Sequence, residues 1–128
     1  MLETDRVAAV FQDAWVLYAD ALEELGRDKI RNAAEKAWGA TKRATDALIL
    51  ARTGEEPPTT ALTSQGLRAL ASEASEVESL VGRYYTRIGF LHGECFYNGM
   101  CHPVEDTERR IRETDNYIRD AQGLASDR

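Results

Sequence analysis

The stretch from Glu73 to Asn98 constrains the fold of this chain more than any other. If it forms an α-helix, apolar residues recur alternately every fourth and every third position, which places them all along one side. These residues are Val77, Val81, Tyr84, Ile88, Leu91 and Cys95. The pattern predicts a long helix whose apolar stripe packs on the core of the protein.

The opposite side of this predicted helix carries only small residues, namely Ser75, Gly82, Thr86, Gly89 and Gly93. A glycine costs roughly 1 kcal/mol in a helix interior relative to alanine. Three glycines on one side therefore indicate that another backbone approaches closely there. We expect the helix to pack on its own chain by one side and to form a dimer interface through Gly82, Thr86, Gly89 and Gly93.

The amino-terminal half predicts two long amphipathic helices, over residues 3–25 and 28–51. Gly26 is expected to end the first helix, and Asp28 is expected to cap the second by accepting from its free amides. Because the connection is short, the two helices should be antiparallel neighbours. Trp15 and Trp38, one on each helix, are predicted to pack in the core.

The remaining segments also predict helices. The Pro57-Pro58 pair breaks the second helix, and a short helical segment containing Leu67 and Leu70 follows. After the long helix, Pro103 opens a last helix whose apolar stripe repeats every seven residues. The predicted fold is all-α, an antiparallel up-and-down bundle of four to five helices forming one domain over residues 1–128.

The formal net charge of −6 argues against a protein that coats nucleic acid, since non-specific binding requires a positive surface. Residues 27–52 nevertheless carry seven basic against three acidic side chains. This local surplus indicates either a basic surface or a solvated helix face. The chain shows no leader pattern and no apolar run of about 20 residues, so we expect a soluble cytoplasmic protein without a membrane segment.

Arg87 and His92 are the candidate catalytic residues. On a regular α-helix their side chains emerge about 140° apart, one at each edge of the apolar stripe. Two copies related by a two-fold axis would bring the arginine of one chain near the histidine of the other. Histidine transfers protons near neutral pH and a guanidinium binds phosphate, so this pair suits metal-independent RNA cleavage by the neighbouring 2′-hydroxyl.

The alternative is that both side chains lie along the core and reach water or a carboxylate. In that interpretation Glu94 is placed to hold Arg87 indirectly, and Glu76 is placed to do so for Arg83. No catalysis follows from such an arrangement.

The two cysteines, Cys95 and Cys101, are too few for a disulfide framework and are predicted to remain thiols. Together with His92 and His102 they are residue types that bind zinc, but their spacing matches no usual finger or ribbon. We therefore predict no metal site and no cofactor. The candidate binding residues are Arg83, Glu94, Tyr97 and His102.

Several features together resemble the HEPN superfamily. They are the antiparallel helix pair, the segment 31–38, the Pro-Pro break followed by Leu67 and Leu70, and the Arg-x4-His spacing of Arg87 and His92. Residues 92–99 are similar to a His-Gly-x-x-Phe-Tyr-x-Gly pattern in archaeal-type paralogues of largely unassigned function. The resemblance covers nearly the whole chain.

The resemblance implies a helical bundle that is usually a homodimer and is sometimes partnered by a small nucleotidyltransferase. In the ribonuclease members the arginine and histidine of the motif form the active site, which here would be Arg87 and His92. Those members commonly have a polar residue after the arginine, where this chain has Ile88. The predicted function is a homodimeric binding or interaction module, with a nucleotide, RNA or a nucleotidyltransferase-like protein as candidate partners. The alternative is a metal-independent endoribonuclease of toxin–antitoxin type.

Overall fold

The computed structural model describes the backbone of residues 2–126 and the side chains of residues 4–126. In this part of the chain all regular elements are helical: α1 (Leu2–Gly26), α2 (Ile30–Thr53), α3 (Thr60–Glu73), a 3₁₀ turn (Ser75–Val77), α4 (Glu78–Arg87), a π-helix (Ile88–Tyr97), α5 (Val104–Arg112) and α6 (Thr114–Ser126). The π-helix directly continues α4, and Glu113 alone separates α5 from α6. The predicted all-α antiparallel bundle is therefore confirmed, with five helical segments in the described residues when α4 is counted with the π-helix and α5 with α6. None of these helices is both long and apolar enough to cross a membrane.

The second helix, α2, is the centre of the bundle, where it contacts α1, α3, α6 and the π-helix. Its buried positions are mostly alanines, whose small side chains allow neighbouring helices to approach closely. Trp38 is buried and meets the ring of Tyr84 edge-on at 5.3 Å, which confirms its predicted core position. Trp15 is only partly buried, and the guanidinium of Arg119 lies 5.6 Å from the centre of its ring.

The turn between α1 and α2 differs from the prediction. Gly26 is the last residue of α1, but Asp28 does not cap α2, because its backbone is left-handed with φ of 60°. Its N–H donates to the carbonyl of Leu25 at 3.1 Å and so closes the turn. Aspartate tolerates this left-handed conformation better than most residues with a Cβ do. Lys29 occupies the capping position without a side-chain hydrogen bond.

A buried carboxylate organises the contact between α2 and α3. Asp46 is fully buried and accepts hydrogen bonds from Thr63 Oγ1 at 2.6 Å, Lys42 Nζ at 2.8 Å and Arg43 Nη1 at 3.0 Å. Arg43 also donates to Asp13 and to Glu56. Part of the basic surplus of residues 27–52 is therefore engaged by carboxylates of the same chain.

The apolar stripe of the long segment is confirmed, because all of its members are buried or partly buried. The prediction of one regular α-helix over this segment is wrong. It begins as a 3₁₀ turn, becomes α-helical at Glu78 and is a π-helix from Ile88 to Tyr97. Hydrogen bonds in a π-helix join residues five apart, so the α-helical angle per residue does not apply beyond Arg87. Short π-helical segments occur frequently at functional sites.

Candidate functional site

Arg87, the last residue of α4, points into the bundle and is only 8% exposed. Its Nε donates to Thr41 Oγ1 at 2.9 Å, and its Nη2 donates to the carbonyl of Arg110 at 2.8 Å and to Thr114 Oγ1. Among the described residues no carboxylate lies within ion-pair distance of it. Burial lowers the pKa of Arg87 to about 10, because removing the cation from water disfavours its charged form. Arg87 is thus a buried cation that neutral acceptors hold.

His92 lies in the middle of the π-helix and is partly exposed. Its Nδ1 is 2.7 Å from Oε1 of Glu35, and the ring of Tyr97 stands edge-on to the imidazole at 4.8 Å. The ring of Trp38 is 6.2 Å away. A carboxylate at one ring nitrogen fixes the orientation of an imidazole and leaves the other nitrogen available.

Arg87 and His92 are therefore held by different partners. Arg87 contacts Thr41 on α2 and the junction of α5 and α6, whereas His92 contacts Glu35 nearer the start of α2. The predicted 140° between the two side chains rests on a regular α-helix, which ends at Arg87. The calculated angle therefore does not apply between Arg87 and His92, and the pairing of the two residues across two copies stays a prediction.

A surface groove of about 750 Å³ runs beside α4 and opens at the junction of α5 and α6. Its lining includes three arginines, Arg83, Arg87 and Arg110, and two glutamates. Arg83 pairs with Asp120 at 2.8 Å, and the guanidinium of Arg110 lies 4.4 Å from the centre of the Phe90 ring. The groove is the place where the buried Arg87 meets the surface.

Residues 9–118 match the model of the Archaeal PaREP1/PaREP8 family. The chain belongs to this family. The matched region extends from α1 into α6 and includes both Arg87 and His92, with the elements that hold them. Comparisons with curated proteins and with solved structures give no match.

In this PaREP1/PaREP8 protein the predicted binding residues lie in different surroundings. Arg83 borders the groove, and the side chains of Glu94 and His102 are exposed. Tyr97 is 65% exposed and has its ring beside His92. The structure brings Tyr97 and His92 together and leaves Arg83 on another part of the surface, beside Asp120.

The sequence predicted that Glu94 would hold Arg87 and that Glu76 would hold Arg83, and both of these predicted partners are wrong. Glu76 lies 3.6 Å from Arg52, while Arg83 pairs with Asp120. The hydrogen bonds of Arg87 go to hydroxyls and a carbonyl, and Glu94 has no part in them. The actual partners lie on other helices, where helical spacing carries no information about them.

The small-residue side of the long segment is not covered by its own chain. Gly82, Thr86 and Gly89 are exposed, and a Cβ at Gly82 or Gly89 would meet nothing within 4 Å. A Cβ at Gly93 would lie 3.7 Å from the carbonyl of Ile88, within the π-helix itself. No neighbouring backbone within the described residues explains these glycines, and the dimer interface stays a prediction.

The prediction of two free thiols is wrong, because Cys95 and Cys101 form a disulfide. Gly99, in the left-handed region with φ of 69°, donates its N–H to the carbonyl of Cys95 and turns the chain back on the π-helix. The turn brings Cys101 to within 4.4 Å of Cys95, measured between Cα atoms. Intracellular disulfides are frequent in hyperthermophilic archaea, and the PaREP1/PaREP8 family is archaeal. With both sulfurs in this bond, only His92 and His102 remain of the zinc-type set.

Four residues that hold Arg87 or His92 were not singled out from the sequence: Glu35, Thr41, Arg110 and Thr114. Each is far along the chain from the side chain that it holds, so no local spacing connects them. The sequence signal that could have identified two of them is a threonine within an apolar helix stripe, since Thr41 and Thr114 occupy core positions of their helices. A buried hydroxyl requires a hydrogen-bond partner, and here each of these two accepts from Arg87.

Proposed function

We propose that this PaREP1/PaREP8 protein is a HEPN-like helical binding module that acts as a homodimer and does not cleave RNA. The observation that carries the proposal is the enclosure of Arg87, whose Nε and Nη2 donate to groups of the bundle interior. A guanidinium held in this way supports the fold. In this proposal the partners are a nucleotide, an RNA or a nucleotidyltransferase-like protein.

The open side of α4 and the π-helix supports the homodimer. Gly82, Thr86 and Gly89 leave a surface without large side chains, and Phe90 beside them is 41% exposed. Exposed apolar surface next to a smooth helix side is typical of protein interfaces. A two-fold axis through this side would set the same residues of two chains against each other, as in most homodimers.

Gly82→Arg is expected to convert a dimer into a monomer. In one chain the new Cβ would meet nothing within 4 Å, and an arginine favours the helix over glycine by roughly 1 kcal/mol, so we expect the fold to be kept. Across a two-fold contact the two added side chains would collide and repel each other. Analytical ultracentrifugation measures the result, with the wild type at twice the chain mass of 14.3 kDa and the variant at that mass.

Gly123→Arg is the matched control for this experiment. Gly123 is an exposed glycine in α6 that likewise has nothing within 4 Å of its Cβ position. The substitution Gly123→Arg adds the same charge and the same volume outside the proposed interface, so this variant should sediment like the wild type. A wild-type protein that is monomeric at every concentration would exclude the homodimer.

A ribonuclease is the second candidate, and the contact between Glu35 and His92 favours it. The 2.7 Å between Glu35 Oε1 and His92 Nδ1 resembles the way in which a carboxylate orients a catalytic imidazole. His92 is partly exposed, and among the described residues no hydrogen bond engages its other ring nitrogen. The arginine that this chemistry needs would have to come from the groove or from a second copy.

Incubation with RNA in the presence of EDTA separates the two candidates. We expect the wild type to leave RNA intact, as His92→Ala does, because Arg87 is engaged inside the bundle. His102→Ala, at the other histidine of the chain, is the matched control for loss of an imidazole. Cleavage by the wild type and by His102→Ala, but not by His92→Ala, would establish the ribonuclease and overturn the proposal.

A further inference from the structure

A short disulfide loop closes the end of the π-helix. Cys95 lies in the π-helix, Cys101 lies just before α5, and the bond between them joins residues six positions apart. Residues 97–100 in between are exposed. A disulfide stabilises a whole fold most when it closes a long loop of the unfolded chain. This one joins the two ends of a single turn, so it restrains mainly that turn and not the packing of distant helices.

The turn carries two aromatic rings that flank His92. The ring of Tyr97 stands edge-on to the imidazole at 4.8 Å, and the ring of Phe96 is stacked on it at 6.3 Å. Nδ1 of the imidazole is engaged by Glu35. Both rings belong to the loop that the disulfide closes, at the two positions directly after Cys95. The position of the turn therefore determines how much of His92 the two rings cover.

The other restraints on this turn are non-covalent. Arg31 donates to the carbonyl oxygens of Phe96 at 2.6 Å and of Tyr97 at 3.1 Å, and its side chain is exposed. The N–H groups of Gly99 and Met100 donate to carbonyls of the π-helix at 3.0 and 2.8 Å. Hydrogen bonds that water can reach contribute little net stability, because water replaces either partner. The disulfide is therefore the strongest restraint on the turn among the described residues.

We infer that the disulfide of Cys95 and Cys101 is a redox switch, which when oxidised holds Phe96 and Tyr97 against His92 and when reduced releases them. The reductant is a dithiol. One of its thiolates attacks the sulfur of Cys101, the less deeply buried of the two cysteines, and the sulfur of Cys95 leaves as a thiolate. The second thiolate of the dithiol then displaces Cys101. The dithiol ends as a disulfide, and its two protons end on the two cysteine thiols.

The switch goes beyond the proposed function, because it concerns the surroundings of His92 and not the ligand or the dimer. It operates whether the protein binds a partner or cleaves RNA. Its test therefore stands apart from the tests of those two candidates.

Native-state amide hydrogen exchange with and without dithiothreitol tests the switch. We expect reduction to speed the exchange of the Gly99 and Met100 amides at least about tenfold, because a covalent loop no longer restricts the open turn. Amides within α2, such as that of Thr45, should exchange at unchanged rates. Mass measurement after alkylation verifies that both cysteines are reduced. A disulfide that stays intact in dithiothreitol under native conditions, or turn amides that exchange equally fast in both forms, would overturn the inference.

The two histidines of the chain report the effect at the imidazole itself. Diethyl pyrocarbonate modifies neutral imidazole, and mass spectrometry after digestion gives the rate at each histidine. We expect reduction to raise the rate at His92 severalfold and to change the rate at His102 far less, since His102 is already exposed. Equal changes at both histidines would overturn the switch. Loss of helix content on reduction, measured by circular dichroism, would also overturn it, because the bond would then hold the whole bundle.

The double variant Cys95→Ala/Cys101→Ala lacks the bond. We expect it to show the exchange and modification rates of the reduced wild type and not to respond to dithiothreitol. A response of this variant to dithiothreitol would place the effect elsewhere and overturn the switch. If the variant does not fold, the wild type decides the question when it is measured before reduction, after reduction and after reoxidation with glutathione disulfide. Rates that do not return on reoxidation would contradict a switch.

Discussion

Arg87→Ala is expected to lower the free energy of unfolding by about 3 kcal/mol, whereas Arg87→Met lowers it by about 1 kcal/mol or less. Alanine leaves a cavity where the long side chain crossed from α4 to α2. Methionine fills most of that space and removes a buried charge that has no counter-ion. The acceptors are not stranded, because Thr41 Oγ1 still donates to the carbonyl of Ala37 and Thr114 Oγ1 to that of Arg110.

Urea denaturation at pH 7 measures both changes. Arg109→Ala, at a side chain that is 55% exposed, should change the free energy of unfolding by no more than about 0.5 kcal/mol. Equal destabilisation by alanine and methionine would show that the charge of Arg87 itself stabilises the fold. The comparison also bears on function, because a loss of activity in Arg87→Ala would not separate catalysis from unfolding. His92→Ala is therefore the better test of cleavage.

Asp46→Ala is expected to lower the free energy of unfolding by about 3 kcal/mol, the lower end of the range for breaking a buried ion pair. The substitution removes the acceptor of Lys42, Arg43 and Thr63 at the contact of α2 and α3. Lys42 and Arg43 keep some access to solvent, which places the effect at the lower end. The melting temperature and the urea midpoint measure the loss.

Asp13→Ala is the matched control, since it removes another carboxylate of the same Arg43. The side chain of Asp13 is 50% exposed, and exposed ion pairs contribute up to about 1 kcal/mol. Added salt should diminish the effect of Asp13→Ala more than that of Asp46→Ala, because water and ions screen only the exposed pair. Equal effects of the two substitutions would contradict the role of burial.

The helices and their buried sides could be predicted from the sequence, because burial of a helix depends on local spacing. The stripe that includes Tyr84 and Leu91 is in the core, as its alternation predicts. Gly82 and Gly89 are exposed, as expected for a helix side that does not pack on the core of its own chain. The change from α-helix to π-helix at Ile88 could not be predicted from this pattern, because the alternation of four and three residues continues through the π-helix.

Contacts between residues that are distant in the sequence decided where the π-helix ends and which partner His92 has. The end of the π-helix is held by Arg31, which donates to the carbonyls of Phe96 and Tyr97, and by the disulfide that closes on Cys95. Neither contact has a periodic signature in the sequence. The same holds for the pairing of His92 with Glu35, 57 positions earlier in the chain.

By itself the amino-acid sequence determined which segments are helical and which side of each is apolar, since these depend on residues three and four positions apart. Only the tertiary structure decided that Arg87 is enclosed, that it meets a groove, and that His92 faces a carboxylate. The physical reason is that a polar side chain in a packed interior takes whichever partner the neighbouring helices present, and helix packing sets that choice. The chemistry available to Arg87 and His92 therefore depends on the packing of α2, α5 and α6 around them.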